Sequence, residues 1–308
     1  MALIIDCDPG IDDALALLLA FGSPLEISAI TTVVGNVSVE QATSNAQTVL
    51  NAAGITGVPV HPGAGTPLSG LVRASSSSHG FDGLGGRGSE PLAIREATAV
   101  DHLLRLSRSK RDSLTIAALG PLTNIAMAIQ RDADFAQRVD RLVVMGGAIG
   151  SGNVTPAAEF NFWHDPAAVD VVLRAGFTRL EIIGLDVTGQ VFLSAEARER
   201  IRLSSAPSAP FVYEMIGAYF DAYWRSHGVV GAEMCDPLVI AHLLDPEILT
   251  LSEAYVEVEL EGQSVGRSNV WPTARYRDKI ANARVATGVD PQRFFTLFLE
   301  TTFPASTA

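Results

Sequence analysis

Cysteine is almost missing from this chain of 308 residues: Cys7 and Cys235 are the only two. No disulfide framework is indicated. Bases are also scarce, 22 against 34 acids, for a net charge of −12. Such a surface repels a phosphate backbone, so nucleic acid is not expected as a partner. The opening MALIIDCDPG has no basic stretch before its apolar run and reaches an acid at Asp6, so no signal peptide is predicted. The longest apolar stretches, such as residues 14–21, are far shorter than the ~20 residues a membrane span needs. Together these absences predict a soluble cytoplasmic protein with no membrane association. The glycine run GLGGRG at 83–88 follows no strand and lacks a GK[ST] ending, so it is not read as a phosphate loop. No repeat of fixed period is visible.

What is present is apolar bulk, 47% of the residues, in a pattern. Short β-rich runs at 3–5, 27–34, 58–60, 114–119, 142–145 and 180–184 alternate with amphipathic runs at 12–21, 39–53, 100–106, 122–129 and 166–175. Apolar strands divided by helices predict an α/β fold, a mostly parallel central sheet covered by helices on both faces and Rossmann-like in character. Such sheets take their ligands just beyond the C-terminal ends of the strands, so polar residues there carry most of the information. Two stretches break the alternation. Residues 69–90, rich in Gly and Ser, read as a long mobile loop. A helical subregion near 194–228 includes the connector SSAPSAP at 204–210 and a helix over 211–226. The last third is expected to hold a strand at 255–260, an irregular segment and a helix near 291–301.

The first strand end carries Asp6, Asp8, Asp12 and Asp13 within eight residues. Asp6 and Asp8 are two apart and share a face; Pro9 and Gly10 turn the chain, and Asp12 and Asp13 begin a helix. Acids suit a first helical turn, which explains Asp12 or Asp13. It does not explain four carboxylates converging at the open end of a sheet, whose repulsion favours a cation among them. All-oxygen ligands select a hard ion, calcium or magnesium. A water on such an ion, next to a carboxylate that takes its proton, is a ready nucleophile.

The string DCDPGIDDA at 6–14 resembles the opening signature of the nucleoside hydrolases, the inosine-uridine preferring type included. The resemblance continues in order with VVGN at 33–36, LGPLTNIA at 119–126, VVMGGA at 143–148, GNVTPAAEFNFWHDP at 152–166 and CDPL at 235–238. It covers nearly the whole chain and implies one nucleoside hydrolase domain over 1–308. The implied reaction is calcium-dependent hydrolysis of the N-glycosidic bond of a small-molecule ribonucleoside to ribose and free base, by direct attack of a metal-bound water with inversion. Carried over by position, Asp8, Asp13, Asp236 and the main-chain carbonyl of Leu119 hold the Ca2+. Asp8 also serves as the base, and Asp6 supports from behind. Asp12 and Asn36 meet the ribose hydroxyls. Asn153, Glu159 and Asn161, with Phe160 between the last two, hold the 5′-hydroxyl end, and Met145 lines the sugar pocket. The catalytic set is then Asp8, Asp12, Asn36, Asn161 and Asp236. A homodimer or homotetramer is also implied.

The match departs from the pattern at one place. Members preferring inosine and uridine put a histidine, as acid for the leaving base, directly before the late aspartate; here Cys235 stands there, at the edge of the substrate pocket. A second branch has a tryptophan in that neighbourhood, and it too is missing. His79 falls where the family keeps a histidine near the base. Tyr223, Trp224 and His227 are further candidates for the base end. His61, His102, His164 and His242 read as structural or surface residues, Thr123 and Asn124 as a helix cap and its support, and Asp165-Pro166 as a helix start. Asn36 and Asn153 are also good turn residues. Two other readings stay open: a nucleoside- or ribose-binding protein with the site kept and catalysis lost, motivated by Cys235, and a magnesium phosphohydrolase using Asp8. The latter lacks phosphate-binding bases, since DCDPG, VVGN and MGGA carry none.

Overall fold

A computed structural model describes residues 2–71, 73, 77–109 and 113–304. Its centre is a nine-stranded sheet in the order β10-β9-β11-β6-β5-β4-β1-β2-β3. The strands are β1 Ala2–Cys7, β2 Ile27–Thr32, β3 Val60–Pro62, β4 Leu114–Ala118, β5 Arg141–Met145, β6 Leu180–Ile183, β9 Leu249–Val258, β10 Ser268–Pro272 and β11 Ala283–Val289. A separate antiparallel pair, β7 Phe192–Leu193 and β8 Ala232–Glu233, forms a small second sheet. From β3 across to β6 every pairing is parallel, and β11 joins β6 in parallel before β9 and β10 close that side antiparallel.

Strands β1, β4, β5 and β6 are buried on both faces, as their uninterrupted apolar runs require. In β1 the alternation is literal: Leu3, Ile5 and Cys7 enter one core cluster, and Ala2 and Ile4 the other. The first cluster is closed by helices Ile11–Gly22, Ala209–His227, Cys235–Leu244 and Pro291–Thr302, the second by Ala99–Ser109, Thr123–Arg131 and Pro166–Arg174. Asp6 follows Ile4 on the second face and meets helix Thr123–Arg131 through Asn124.

The antiparallel side differs from the expectation. The strand foreseen at 255–260 is Leu249–Val258, and the foreseen irregular segment contains β10 and β11. Both are half-exposed, and they alternate polar with apolar residues in short pieces, which weakens their apolar signal. β2 stops at Thr32, because Val33 and Val34 turn off into a small cluster with Ala64. Helix Cys235–Leu244 was not foreseen. It is buried on nearly every side and so shows no amphipathic period.

Within the segment foreseen as a mobile loop, residues 72 and 74–76 lie outside the described residues. The part after them is tied down. Ser77–His79 form one 3-10 turn, and Asp82 accepts the N–H groups of Leu84, Gly86 and Gly88. The Asn45 amide donates to the carbonyls of Pro9 and Asp82, joining this turn to the entrance of the first helix. Gly85, with φ of 64°, lies so close to helix Ala209–His227 that a Cβ there would sit 2.6 Å from Ala218; only glycine fits both the conformation and the space. In the 194–228 subregion, Ser194 caps helix Ala195–Arg202 before the long helix Ala209–His227. Among the described residues no helix is long and apolar enough to cross a membrane.

Candidate active site

The turn after β1 brings the opening acids to the C-terminal edge of the sheet. Asp13 accepts the N–H of Gly10 at 2.9 Å and of Asp8 at 3.3 Å, which closes the turn and caps the helix. The capping reading therefore describes Asp13 correctly, but incompletely. Asp8 takes the N–H of Asn36 on Oδ2 at 2.6 Å, while its buried Oδ1 has no hydrogen-bond partner. Gly35 and Gly120 press against this carboxylate, and a Cβ at either would collide with it. Asp236 arrives in the first turn of helix Cys235–Leu244. Asp12, Asp13 and Asp236 each offer an oxygen within 4.8 Å of the others, at exposures of 7%, 0% and 3%. Asp12 thus shares the cluster geometrically with Asp13 and Asp236, although the resemblance gives it to the sugar.

Burial dominates the electrostatics. It pushes Asp8 well above the usual carboxylate range, with Asp13 adding repulsion. Asp13 is raised to about 7, first by burial and then by Asp12. Asp236 is raised by burial and by Asp12, Asp13 and Asp8. Among the described residues no lysine or arginine makes an ion pair with any of these acids; the nearest partner is His79, whose Nδ1 lies 3.7 Å from Asp12. That nitrogen accepts the N–H of Ile11 at 3.1 Å, an arrangement of the uncharged ring, and burial lowers the pKa of the ring against the pull of Asp12. A buried cluster of acids with orphaned oxygens and no cation of its own fits a hard metal ion, whose oxygen ligands these residues supply. Asp6 sits behind. Its Oδ1 accepts from Thr31 at 2.5 Å and from Asn124 at 2.8 Å, and burial still raises it to about 6.

Above the acids opens a cleft with about 520 Å³ of empty space, counted to its open mouth. Its walls gather most of the residues chosen from sequence: Asp12, Asn36, His79, Leu119, Met145, Asn153, Glu159, Phe160, Asn161, Cys235 and Asp236. Asp8 and Asp13 are not among the lining residues and are buried, at 1% and 0% exposure. Glu159 caps the short helix Phe160–His164, taking the N–H groups of Asn161 at 2.8 Å and Phe162 at 3.1 Å, and that of Gly147 at 2.9 Å. Burial nevertheless raises it to about 7. The Asn161 amide donates to the carbonyl of Leu119 at 2.7 Å and of Met145 at 3.2 Å, which fixes its rotamer against two strand ends. Asn153 accepts from the N–H of Phe160 at 3.0 Å.

Three wall residues were missing from the sequence-derived set: Ser78, Tyr219 and Glu233. Tyr223, weighed from sequence, lines the wall, whereas Trp224 is 59% exposed and points elsewhere. Tyr219 stacks on His79 and donates its hydroxyl to the carbonyl of Glu233. A spacing of two from Cys235 was the available signal for Glu233. Thr123 and Asn124 are not the foreseen cap: Leu122 stands at that position with no side-chain bond, while Thr123 donates to Asp165 and Asn124 to Asp6. Asp165 starts its helix as expected, accepting the N–H of Ala168. None of His61, His102, His164 and His242 lines the cleft.

Comparison with known proteins agrees along the chain. The family model described as inosine-uridine preferring nucleoside hydrolase matches residues 3–296. The Inosine-uridine preferring nucleoside hydrolase of Leishmania major is 36% identical, over 97% of this chain and 96% of that protein. Uridine nucleosidase 1 of Arabidopsis thaliana is 40% identical, over 86% and 80%. The solved structure of a plant nucleoside hydrolase, PpNRh1, superimposes with a TM-score of 0.91 at 32% identity, covering 98% of each chain. The chain belongs to the inosine-uridine preferring nucleoside hydrolase family and is a hydrolase acting on ribonucleosides.

Proposed function

We propose that this protein is a calcium-dependent ribonucleoside hydrolase that releases ribose and free base, its ion held by Asp8, Asp13, Asp236 and the main-chain carbonyl of Leu119. One observation carries the reading: a buried set of carboxylates, with orphaned oxygens on Asp8 and Asp12 and no protein cation, lies at the floor of a cleft walled by amides and acids. The ion, when bound, supplies Lewis-acid activation of water and a charge that anchors hydroxyl groups. Calcium suits a site of carboxylates and a carbonyl, which it accepts in flexible geometry.

The remaining work falls to the chain's own residues. Asp8 takes the proton of the attacking water, its unpaired Oδ1 being available for it. Asn36 and Asp12 hold the ribose hydroxyls beside the acids. Asn161, locked by two carbonyls, and Glu159 and Asn153 hold the 5′-hydroxyl end. A ring fixed at both ends leaves C1′ exposed to one face, and the surrounding negative charge favours an oxocarbenium-like transition state. The alternative, a binder that has lost catalysis, rests on Cys235; the fitted glycine pocket around the Asp8 carboxylate favours the enzyme.

Reducing-sugar release from a panel of ribonucleosides decides between the two, measured with calcium and again after chelation. Release that needs calcium supports the proposal. Tight nucleoside binding with no ribose released refutes it.

A further inference from the structure

Cys235 occupies the place from which the resemblance would draw a proton donor for the leaving base. Burial pushes its thiol well up, and its Sγ lies 3.5 Å from the Thr188 hydroxyl. A thiol so raised is a weak acid. The other groups at this end of the cleft fare no better. Tyr219 is pushed well up and spends its proton on a main-chain carbonyl, and Tyr223 is also driven up by burial. His79 has its Nδ1 occupied by the N–H of Ile11, an arrangement of the uncharged ring, and burial lowers its pKa.

Of the titratable wall residues that neither the acid cluster nor the 5′-hydroxyl end uses, one is left. Glu233 ends the two-residue strand β8, paired with Phe192. It is half-buried and lines the cleft beside Cys235, Tyr219 and Tyr223. Its carboxyl lies against the backbone of Gly189, where a Cβ would stand 3.8 Å from Oε1. The main chain of β8 is tied by the Tyr219 hydroxyl, so the carboxyl is carried on an anchored strand. We propose that Glu233 is the general acid that protonates the departing nucleobase, a role that rests on the hydrolase reading above. Burial raises this carboxyl, His227 draws it back and Asp12 raises it again. A carboxyl moved upward is the chemistry an acid catalyst needs near neutral pH.

The step balances. The bond from C1′ to the base nitrogen breaks, and its electron pair stays with the base. The proton of Glu233 passes to the base and leaves a carboxylate. The water oxygen joins C1′ and its proton goes to Asp8. Asp8 then returns a proton to solvent and Glu233 takes one up, so one water is consumed per bond cut.

The test compares Glu233→Gln with the wild type on two kinds of riboside. Inosine and uridine leave as poor anions and need a proton. The 4-nitrophenyl β-ribofuranoside leaves as a stable phenolate and needs none. The variant is expected to lose about 100-fold or more in kcat on the nucleosides. On the nitrophenyl riboside it should stay within about 3-fold of wild type. Equal losses on both substrates would overturn the assignment, as they report a damaged site. So would a change confined to KM, which reports base binding only, or nucleoside turnover left unchanged. Wild-type protein that frees ribose from nothing would overturn both this role and the parent reading; wild-type turnover matched by the variant overturns this role alone.

Discussion

Two buried charged clusters lie at opposite ends of the same elements, and they are built in opposite ways. At the N-terminal end of the sheet, Glu181 of β6 meets Arg141 of β5 at 2.5 Å and His242 at 3.1 Å, with Arg284 at 3.3 Å. At the C-terminal end Asp8, Asp12, Asp13 and Asp236 meet no arginine or lysine among the described residues. Helix Cys235–Leu244 joins the two, with Asp236 in its first turn and His242 in its last. Burial pushes Glu181 upward, but hydrogen bonds and charge from His242 and Arg141 overcome it and hold the group at about 2. Burial pushes Asp13 up too, Asp12 adds repulsion, and hydrogen bonds from Gly10, Asp236 and Asp8 only partly offset them, so the group ends at about 7. The protein neutralises one cluster from within. The other has no such neutralisation among the described residues and could hold a metal ion.

The comparison can be broken from either side. On the proposed roles Asp8→Asn removes a charged ligand and the base together, and should lower kcat by at least ~10³-fold on any ribonucleoside with calcium saturating; near-normal rates would move the chemistry away from Asp8. Arg141→Leu strikes the other end. It strands Glu181 with weaker partners and should cost roughly 3 kcal/mol of stability, read as a lower Tm, while kcat at saturating calcium holds within a few-fold. An equal collapse of activity in the folded variant would erase the distinction between the two ends.

Glu159 sharpens the contrast by a smaller amount. It is buried like Glu181, but its partners are three N–H groups rather than cations, and it is raised to about 7 from its ordinary 4.5. The folded chain then holds its proton more tightly than the unfolded chain does. Its contribution to stability is full below pH 4.5 and is lost as pH rises through about 7. The total is on the order of 3 kcal/mol. Tm measured from pH 5 to pH 8 should therefore fall less in Glu159→Gln than in wild type. Identical pH slopes in the two proteins would refute the shift.

The same contrast explains what the sequence made legible. The four opening acids lie on one strand end and one helix start, so local spacing is enough to see that they converge. Strands β1, β4, β5 and β6 announce themselves because both faces are apolar. Strands β9, β10 and β11 do not, since each has a half-wet face and polar alternation. Tyr219 and Glu233 reach the cleft only through the packing of helix Ala209–His227 and the two-residue β8, which no short window contains. Asn124 reads as support for a Thr123 cap because the two stand at a helix start; its true partners, Asp6 and the carbonyl of Thr32, lie on other strands. Cys235 was visible as a departure, but the acid that replaces its missing function depends on which neighbours burial leaves titratable.

The central claim is that the outside ion sits among the opening acids and Asp236. A crystal grown with calcium and examined for anomalous density tests it directly. The account predicts one ion per chain, touching Asp8, Asp13, Asp236 and the carbonyl of Leu119. Protonated acids hydrogen-bonded to one another with no ion between them, in crystals whose protein still frees ribose, would contradict it.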